Sequence, residues 1–504
     1  MGQLLCCEAG LQFLFRHSGA RAVGASSFVF NNTFDILPNN NGRSPQAIYE
    51  IETQLIGSGA SGSVQRAKSR KTGNVCALKT IKKANINSTT AFVNEVEINL
   101  AIDHPNIVRL YETFEDKQNV YLALEACDGG EMFDEIVNQV RFRELDAAIL
   151  MEQILRAVYY LHTQMIAHRD LKPENFLFKS QTSKVPLVNN TLKIIDFGIA
   201  KRFKAGVHFK TMAGSAYYVA PEILTKKYTE KCDEWSCGVI LYIMLCGFPP
   251  FTGNDNREIL QKVKTGRIQF DLPEFKTVSK EAKSLINQLC NRDVSARATA
   301  EQVLRSQWVK DRNWVLKDNQ PASNALIQNL RAFSRSSRFK KVALEMIAHR
   351  LDGKQIDRLR KQFMRMDKNG DGMLTLAEMK DGFESAGLPD DAEAMFEHLD
   401  IDHSGSISYR EFLAGMIEKT SYLQEDVCWE AFRIFDQNGD GMISMEELRI
   451  MLQENEEIAK SFHRTEATGK DATPSDIVAL FEEADTDGNG SISFEEFMVM
   501  MHKD

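Results

Sequence analysis

The chain has 504 residues, of which 43% are hydrophobic and 26% are charged, and its formal net charge is −9. This length and composition indicate an ordinary globular protein of about three domains. The acidic balance argues against nucleic acid as a partner, because binding phosphates needs clustered positive side chains. The nine cysteines show neither zinc spacing nor a disulfide framework, which indicates reduced thiols in the cytoplasm. No apolar run approaches the roughly 20 residues that a membrane span needs, and we expect no secretory signal.

The first segment, residues 1–48, predicts an anchor followed by a flexible tail. Gly2 is a candidate for myristoylation, although the pattern expects Ser or Thr at position 6 and finds Cys6. The adjacent Cys6 and Cys7 are candidates for palmitoylation, and stable anchoring needs two lipid signals. The alternative is an ordinary start with two unmodified thiols. We therefore expect a cytoplasmic protein, with peripheral attachment to the cytoplasmic face of a membrane as one location.

A glycine-rich loop follows a strand pattern that begins near Tyr49, where Ile51, Thr53 and Leu55 alternate. The loop reads Gly57, Ser58, Gly59, Ala60, Ser61, Gly62, Ser63 and Val64. Glycines let the backbone approach a phosphate that a side chain would block. Alone the loop is equally typical of a bare hairpin. A dinucleotide fingerprint would need a helix at its end, and the pattern predicts none.

The motifs that follow along the chain favour the phosphate-binding interpretation of this loop. They are Ala77-Leu78-Lys79, then Glu95 in a helical stretch, His168-Arg169-Asp170-Leu171-Lys172-Pro173-Glu174-Asn175, Asp196-Phe197-Gly198 and Ala220-Pro221-Glu222. In this order they resemble the eukaryotic protein kinase family across residues 49–308. The resemblance implies a two-lobed fold with ATP as co-substrate, and it implies that Glu222 pairs with Arg297 to hold the fold. Because the charged motif residues are intact, an inactive pseudokinase is disfavoured.

The resemblance implies a role for each motif residue. Lys79 contacts the α- and β-phosphates, and Glu95 is its ion-pair partner. Asp170 accepts the proton of the substrate hydroxyl, and Lys172 steadies the transferring phosphate. Asn175 and Asp196 hold magnesium. The chemistry explains these residue types, because phosphoryl transfer is catalysed mostly by positioning and by electrostatic stabilisation.

The nucleotide and peptide sites extend by the same resemblance. Leu124 takes the gatekeeper position, and Glu125 and Cys127 belong to the hinge that faces adenine. Glu131 is assigned to the ATP site, and Glu131 and Glu174 also match positions that attract basic residues of peptide substrates. The expected substrates are proteins with a basic residue upstream of Ser or Thr.

Two hydroxyl groups are phosphorylation candidates. Thr211 lies three residues before Gly214, where other kinases carry a phosphorylated threonine, and a phosphate there would pair with Arg169. Ser334, with Arg331 three residues upstream, is a candidate for self-phosphorylation.

Four acidic loops of twelve residues form an internal repeat in the last third of the chain. The expected calcium ligands are Asp367, Asn369, Asp371, Met373 and Glu378 in loop one; Asp400, Asp402, Ser404, Ser406 and Glu411 in loop two; Asp436, Asn438, Asp440, Met442 and Glu447 in loop three; and Asp485, Asp487, Asn489, Ser491 and Glu496 in loop four. This is the EF-hand register of oxygen ligands, with glycine at position six for the sharp turn. Loop two departs from it, because Ser404 replaces Asp or Asn. The aliphatic residue at position eight of each loop predicts two strand pairs, and therefore two lobes.

A basic amphipathic segment, the junction (residues 309–350), connects the two halves. Leu326, Leu330 and Phe333 share one helical face, and basic residues surround them. Such a helix is a typical target of calcium sensors or lies on acidic membranes, whereas the bland alternative is a solvated linker. Its position between the halves favours an internal latch.

The order of kinase, junction and four EF-hands resembles the calcium-dependent protein kinases of plants, ciliates and apicomplexan parasites. The expected domains are the anchor and tail at 1–48, the kinase at 49–308, the junction at 309–350 and the calcium-binding domain at 351–504. The expected fold class is α+β, a two-lobed kinase fold followed by an all-α EF-hand domain of two paired lobes. The resemblance implies a monomeric, calcium-activated Ser/Thr kinase that uses Mg²⁺ and up to four Ca²⁺, and whose junction occludes the substrate cleft until calcium binds.

Two alternative functions remain open from the residues. One is a calcium-responsive scaffold with a weak or inactive kinase domain, against which the intact Asp170 and Asp196 count. The other is a kinase regulated by external calmodulin, which would need disabled EF-hand loops.

Overall fold

The computed structural model describes residues 44–59, 62–310, 329, 333, 336–350, 354–384, 392–417, 419–454, 478 and 481–503. The expectations for Gly2, Cys6, Cys7, Ala60, Ser61 and Ser334 lie outside these residues. The expected α+β fold class is confirmed, with an antiparallel sheet first and helices after it. In the described part of the chain no helix is long and apolar enough to cross a membrane, and no disulfide forms.

The first lobe (residues 44–125) is built on a five-stranded sheet of order β1-β2-β3-β5-β4. Its elements are α1 (Pro45–Ile48), β1 (Tyr49–Gly59), β2 (Gly62–Ser69), β3 (Val75–Lys82), α2 (Thr89–Ala101), β4 (Leu110–Glu115) and β5 (Asn119–Glu125). Alternate residues of β5 serve two clusters, because successive side chains of a strand point to opposite faces. Val120 and Leu122 pack with Phe92 of α2, whereas Tyr121 and Ala123 pack on the other side of the sheet. Both faces of the sheet are therefore used.

The second lobe (residues 126–310) is helical. Its helices are α3 (Met132–Gln139), α4 (Glu144–Thr163), α5 (Cys232–Cys246), α6 (Asn256–Thr265), α7 (Lys280–Leu289), α8 (Ala300–Leu304) and α9 (Gln307–Lys310). Its short strands are β6 (Ile166–Ala167), β7 (Phe176–Phe178), β8 (Leu192–Ile194) and β9 (Lys201–Arg202). Every residue of α5 is buried, as a helix that is apolar on nearly all sides requires. The strand pairs β6–β9 and β7–β8 present the catalytic motifs above this core.

The last part of the chain contains the junction helix α10 (Arg338–Arg350) and the calcium-binding region (residues 354–503). The further helices are α11 (Lys354–Met366), α12 (Leu376–Glu384), α13 (Ala392–Leu399), α14 (Tyr409–Met416), α15 (Lys419–Tyr422), α16 (Glu425–Phe435), α17 (Met445–Glu454) and α18 (Phe494–His502). Their strands are β10 (Met373–Leu374), β11 (Ile407–Ser408), β12 (Met442–Ser444) and β13 (Ser491–Ser493). Leu374 pairs with Ile407, and Ile443 pairs with Ile492, so the predicted strand pairs between loops are confirmed.

Candidate active site and calcium loops

The catalytic loop is held from below by Asp233, at the start of α5. Its carboxylate accepts the amides of His168 and Arg169 at 2.9 and 2.8 Å, and it meets His162 Nε2 at 2.9 Å. Burial alone would raise the pKa of Asp233, but the hydrogen bond and charge of His162 lower it. Burial would lower the pKa of His162, yet Glu234 and Asp233 raise it to about 10. These bonds fix the positive φ of Arg169, a conformation that side chains rarely adopt.

Asp170, Lys172 and Asn175 come together as the sequence predicted. Asp170 Oδ2 lies 2.9 Å from Lys172 Nζ, and Asp170 Oδ1 accepts the hydroxyl of Ser215 at 2.8 Å. The Asn175 amide donates to the carbonyl oxygen of Asp170 at 2.9 Å. Burial lowers the pKa of Lys172, but the charge and hydrogen bond of Asp170 together with the charges of Glu174 and Asp196 raise it, so the net shift is upward. This arrangement places a carboxylate and a cation side by side in the cleft.

Asp196 and Glu95 lie on the metal-binding side of the cleft. Asp196 has a positive φ, and its Oδ1 accepts the amide of Gly198 at 3.0 Å. Burial raises the pKa of Glu95, the charge of Lys79 opposes this rise, and the charge of Asp196 adds to it. Among the described residues, no ion pair within 4.0 Å joins Glu95 to Lys79, and their pairing stays a prediction. Glu95 instead lies against Gly198, although it remains within the influence of Lys79.

The glycine-rich loop is the turn between β1 and β2. Gly57 pairs with Val64, Ser58 with Ser63 and Gly59 with Gly62, so no helix follows, as predicted. A Cβ on Gly62, whose φ is +124°, would lie 2.3 Å from the carbonyl oxygen of Thr80. Gly62 is therefore required for the close approach of β2 to β3, in which Lys79 lies opposite Val64.

The hinge differs from its prediction in one respect, the side chain of Glu125. This carboxylate pairs with Lys193 at 2.7 Å and with Lys179 at 3.1 Å, and it borders a cavity shared with Tyr409 of the calcium-binding region. Burial would raise the pKa of Glu125, but the two lysines hold it well below its usual range. The side chain of Glu125 thus lies on the rear of the kinase domain, the face opposite the cleft, and its backbone is the part left for a nucleotide.

Glu131 and Glu174 form an acidic surface beside the catalytic loop. Burial, followed by Asp134 and Glu174, raises the pKa of Glu131, and burial also raises the pKa of Glu174. Among the described residues, the buried Oε2 of Glu174 has no hydrogen-bond partner. A carboxylate whose pKa is raised by burial is stabilised in its charged form when a cation binds beside it.

Two further predictions concern the segment between the metal-binding and Ala-Pro-Glu motifs. Arg297 binds Glu222 through two hydrogen bonds of 2.5 and 2.9 Å, which confirms the expected ion pair. Thr211 is exposed, and its hydroxyl lies 3.1 Å from a guanidinium nitrogen of Arg169. The same nitrogen contacts the hydroxyl of Tyr228 at 3.1 Å.

The four acidic loops share one internal geometry. The glycine amide at position six donates to the first aspartate at 2.9 to 3.1 Å, in the pairs Gly372–Asp367, Gly405–Asp400, Gly441–Asp436 and Gly490–Asp485. The last glutamate accepts the amide at position nine at 2.8 to 3.0 Å, in the pairs Thr375–Glu378, Ser408–Glu411, Ser444–Glu447 and Ser493–Glu496. The other predicted ligands lie between these ends: Asn369, Asp371, Met373, Asp402, Ser404, Ser406, Asn438, Asp440, Met442, Asp487, Asn489 and Ser491. Each loop is closed around its own oxygen atoms.

The donor set fits calcium. Carboxylate oxygens lie within 4.8 Å of one another in two groups, Asp400 with Asp402 and Glu411, and Asp485 with Asp487 and Glu496. Burial raises the pKa of Asp400 and that of Glu411, so a cation would stabilise both as carboxylates. The hydroxyl of Ser404 donates to Ser406 at 2.8 Å and to Asp400 at 3.3 Å, so the departure at this position leaves the loop closed. Oxygen-only ligands are those that calcium prefers.

Comparison with known proteins agrees with this geometry. Residues 49–309 match the protein kinase domain, and residues 356–417 and 425–501 match EF-hand domain pairs. Calcium-dependent protein kinase 5 of Plasmodium falciparum (isolate 3D7) is 40% identical over 471 residues, which cover 92% of this chain and 79% of the relative. Calcium-dependent protein kinase 4 of the same organism is 34% identical over 510 residues, which cover 96% of this chain and 93% of the relative. Calcium-dependent protein kinase 3 of Plasmodium berghei (strain Anka) is 35% identical over 456 residues, which cover 90% of this chain and 80% of the relative. The chain belongs to the calcium-dependent protein kinase family.

In this kinase the junction helix α10 is part of the core of the calcium-binding region. Phe339 packs edge-on against Phe435 and Phe497, with ring centroids 5.2 and 6.0 Å apart. The helix ends at the rear of the first lobe, where His349 Nε2 lies 3.1 Å from the carbonyl oxygen of Leu110. Among the described residues, no junction side chain contacts the catalytic Asp170.

Buried ion pairs join the rear of the kinase domain to the junction and the calcium-binding region. Glu112 accepts Arg433 at 3.2 Å and lies 3.5 Å from Arg350. Burial would raise the pKa of Glu112, but these two arginines lower it to about 2. Asp103 lies 3.1 Å from Arg109 and 3.5 Å from Arg410. Three guanidinium groups from outside the kinase domain therefore surround two of its carboxylates.

Sequence reasoning missed Asp233 and Glu112. For Asp233 a signal existed, since two adjacent carboxylates, Asp233 and Glu234, begin an otherwise apolar helix. For Glu112 there was no local signal, because its partner Arg433 is 321 residues away along the chain.

Proposed function

We propose that this chain is a calcium-activated serine/threonine protein kinase that transfers the γ-phosphate of ATP to protein substrates. One observation carries the proposal: α10, which follows the kinase domain along the chain, is packed into the core of the calcium-binding region. Calcium loading therefore acts on an element that is continuous with the enzyme. The test is phosphate transfer to an arginine-containing Ser/Thr peptide, in calcium and then in a chelator. Equal transfer in both conditions would remove the calcium switch, and no transfer in either would contradict the enzymatic function.

The arrangement of the cleft suits phosphoryl transfer. Asp170 accepts the proton of the substrate hydroxyl, and Lys172, 2.9 Å away, offsets the charge of the transferring group. Asn175 and Asp196 are the residues that would hold magnesium, which when bound neutralises charge on the phosphates. Lys79 and the backbone of the glycine-rich loop position the nucleotide, and the hinge backbone at Glu125 and Cys127 faces its base.

Glu131 and Glu174 select substrates with a basic residue upstream of the reacting hydroxyl. The supporting observation is the buried, unpartnered oxygen of Glu174 together with the raised pKa of both carboxylates. Peptides that differ only in this arginine test the selection, and equal kcat/KM for both would contradict it.

The junction inhibits the enzyme when calcium is absent by covering the substrate cleft. The burial of α10 inside the calcium-binding region supports this, because a helix held there cannot lie in the cleft at the same time. Moving from about 1% to 99% open requires roughly 5.5 kcal/mol of preference for the open state, spread over up to four calcium ions. A chain truncated after the kinase domain is expected to be active without calcium, and continued inactivity would contradict the mechanism.

Phosphorylation of Thr211 orders the segment before Gly214. The contact of its hydroxyl with Arg169 supports this, since a phosphate at that position would gain charge-assisted hydrogen bonds. Full calcium-stimulated activity of a Thr211→Ala enzyme would contradict it. Ser334 remains a candidate for self-phosphorylation, which mass spectrometry after incubation with ATP would detect.

The protein is monomeric, and acylation of Gly2, Cys6 and Cys7 attaches it to a membrane surface. Two neighbouring acylation signals are what stable attachment requires. Labelling with a myristate analogue tests the first of them, and equal labelling of wild type and Gly2→Ala would contradict it.

A further inference from the structure

Loop one is bonded to the kinase domain through one of its predicted calcium ligands, whereas loop two touches that domain through Arg410, which is not a predicted ligand. Arg156, on α4, donates to the carbonyl oxygen of Asp367 and to its Oδ2, each at 3.0 Å. Asp367 is the first ligand position of loop one, and both residues are buried in the contact. A cation of the kinase domain is thus bonded directly to a calcium ligand.

The backbone of loop one also presses against the kinase domain. A Cβ on Gly372 would lie 2.8 Å from carbon atoms of both His104 and Tyr160, and one on Gly370 would lie 3.1 Å from Leu304. The corresponding turn glycines of the other three loops have open space around them: Gly405, Gly441 and Gly490. Of these four described turns, only that of loop one is fitted to another domain.

The contact requires a closed loop. Asp367 Oδ1 accepts the amide of Gly370 at 2.6 Å, and Oδ2 accepts the amide of Gly372 at 3.1 Å as well as Arg156. These amides orient the carboxylate of Asp367, so that its Oδ2 meets the guanidinium group that also binds the carbonyl oxygen of Asp367. An open loop would lose this alignment and would leave Arg156 with Glu152, 3.1 Å away, as its remaining partner.

We infer that Arg156 is a positioning residue that couples loop one to the docking of the calcium-binding region on the kinase domain. A closed loop one offers Arg156 two acceptors and so favours docking. Since coupling between two equilibria is reciprocal, docking in turn holds loop one closed. The inference rests on the proposed function in one point, that calcium closes the loop.

The test measures docking in the full chain by energy transfer between one dye on the kinase domain and one on the calcium-binding region. Arg156→Met and Glu378→Gln are compared with the double variant. Arg156→Met is expected to raise the calcium concentration for half-maximal docking about tenfold, as loss of a charged hydrogen bond predicts, and Glu378→Gln is expected to raise it because loop one loses a carboxylate ligand. The double variant should shift it no further than the larger single change. Independent shifts that multiply in the double variant would overturn the inference.

A second pair of variants guards against misfolding of Arg156→Met. Gly372→Ala and Gly405→Ala place a side chain on glycines with φ of +80° and +84°, but only the first meets the kinase domain. Calorimetry measures the calcium affinity of both variants, so that an effect on docking is separated from an effect on calcium binding. Gly372→Ala should weaken docking, and Gly405→Ala should not. Equal effects on docking would overturn the inference. Peptide phosphorylation by the wild type is measured separately, so a failure of calcium activation is distinguished from a failure of this coupling.

Discussion

The kinase domain uses acidic side chains in opposite ways on its front, the face with the cleft, and on its rear, the face that contacts the junction helix and the calcium-binding region. At the front, Glu174 keeps a buried oxygen without a partner, and Asp170 projects into the cleft. At the rear, Glu112 and Asp103 are enclosed by arginines of other parts of the chain. The front carboxylates face the cleft, where Glu174 keeps one oxygen for a ligand, whereas the rear carboxylates are paired with cationic side chains of the protein itself. Substitutions should therefore separate catalysis from docking.

The largest effect is expected at the front, for Asp170→Asn. Removal of the proton acceptor should lower kcat by about 10³-fold, the middle of the range for a general base. Because Asp170 makes no contact with the calcium-binding region among the described residues, calcium-dependent docking should be unchanged. Steady-state kinetics and the docking assay check both statements, and a loss of docking would contradict the separation of the two faces.

At the rear, Glu112→Gln should have the reverse effect. The change leaves Arg433 without its carboxylate partner and Arg350 with Glu430 at 3.9 Å as its remaining one, at a cost of about 3 kcal/mol to the docked state. Catalysis by the kinase domain, measured on a chain truncated after residue 310, should be nearly the same with and without the substitution. A large loss of kcat in that truncated enzyme would show that the rear carboxylate also serves the cleft.

A buried pair beneath the cleft gives a pH-dependent test. The pKa of His162 is raised to about 10 in the folded protein from its ordinary 6.5. The protonated form is therefore favoured by folding, so its stabilisation is complete below about pH 6.5 and is lost as pH rises through 10. Between pH 7 and 9.5 the wild type should lose about 3 kcal/mol more stability than His162→Gln. Urea unfolding at both pH values measures this, and equal losses would show that His162 is not charged in the folded state.

A smaller effect is expected for Glu174→Gln. An arginine of the substrate would lose its countercharge, so KM should rise about tenfold, as loss of a charged hydrogen bond predicts, with little change in kcat. A peptide that lacks the arginine is the matched control, and its KM should not change. An equal rise for both peptides would contradict the assignment of Glu174 to the basic residue.

The smallest effect is expected for an exposed pair that serves as a control for the rear. Arg305 and Glu301 lie 2.6 Å apart on one helical turn, with 63% and 36% of their side chains exposed. Arg305→Ala should change the free energy of unfolding by about 0.5 kcal/mol or less, because water screens exposed pairs. A larger loss, measured by urea unfolding, would mean that burial is not what distinguishes the rear contacts.

The predictable parts of this kinase are those written in short stretches of sequence. Asp170, Lys172 and Asn175 are five residues apart at most, and the strand pair of Leu374 and Ile407 follows from the repeat of the loops. The Glu222–Arg297 pair was predictable only through the resemblance to other kinases. The geometry of Glu95 and the rearward side chain of Glu125 were not, because both depend on packing around the cleft. The contact of Arg156 with Asp367 joins residues 211 positions apart and has no local pattern.

The burial of Phe339 between Phe435 and Phe497 has a consequence for how the chain is divided. Helix α10 and the calcium-binding region share one hydrophobic interior, so the boundary between the kinase domain and that region does not lie at residue 350. A cut at residue 350 would remove α10 from the core of the calcium-binding region. The apolar surface that α10 covers would then be exposed to solvent or bound by another molecule. The module boundary therefore lies before α10, and exchanging the calcium-binding region for that of a relative would require α10 to be exchanged with it.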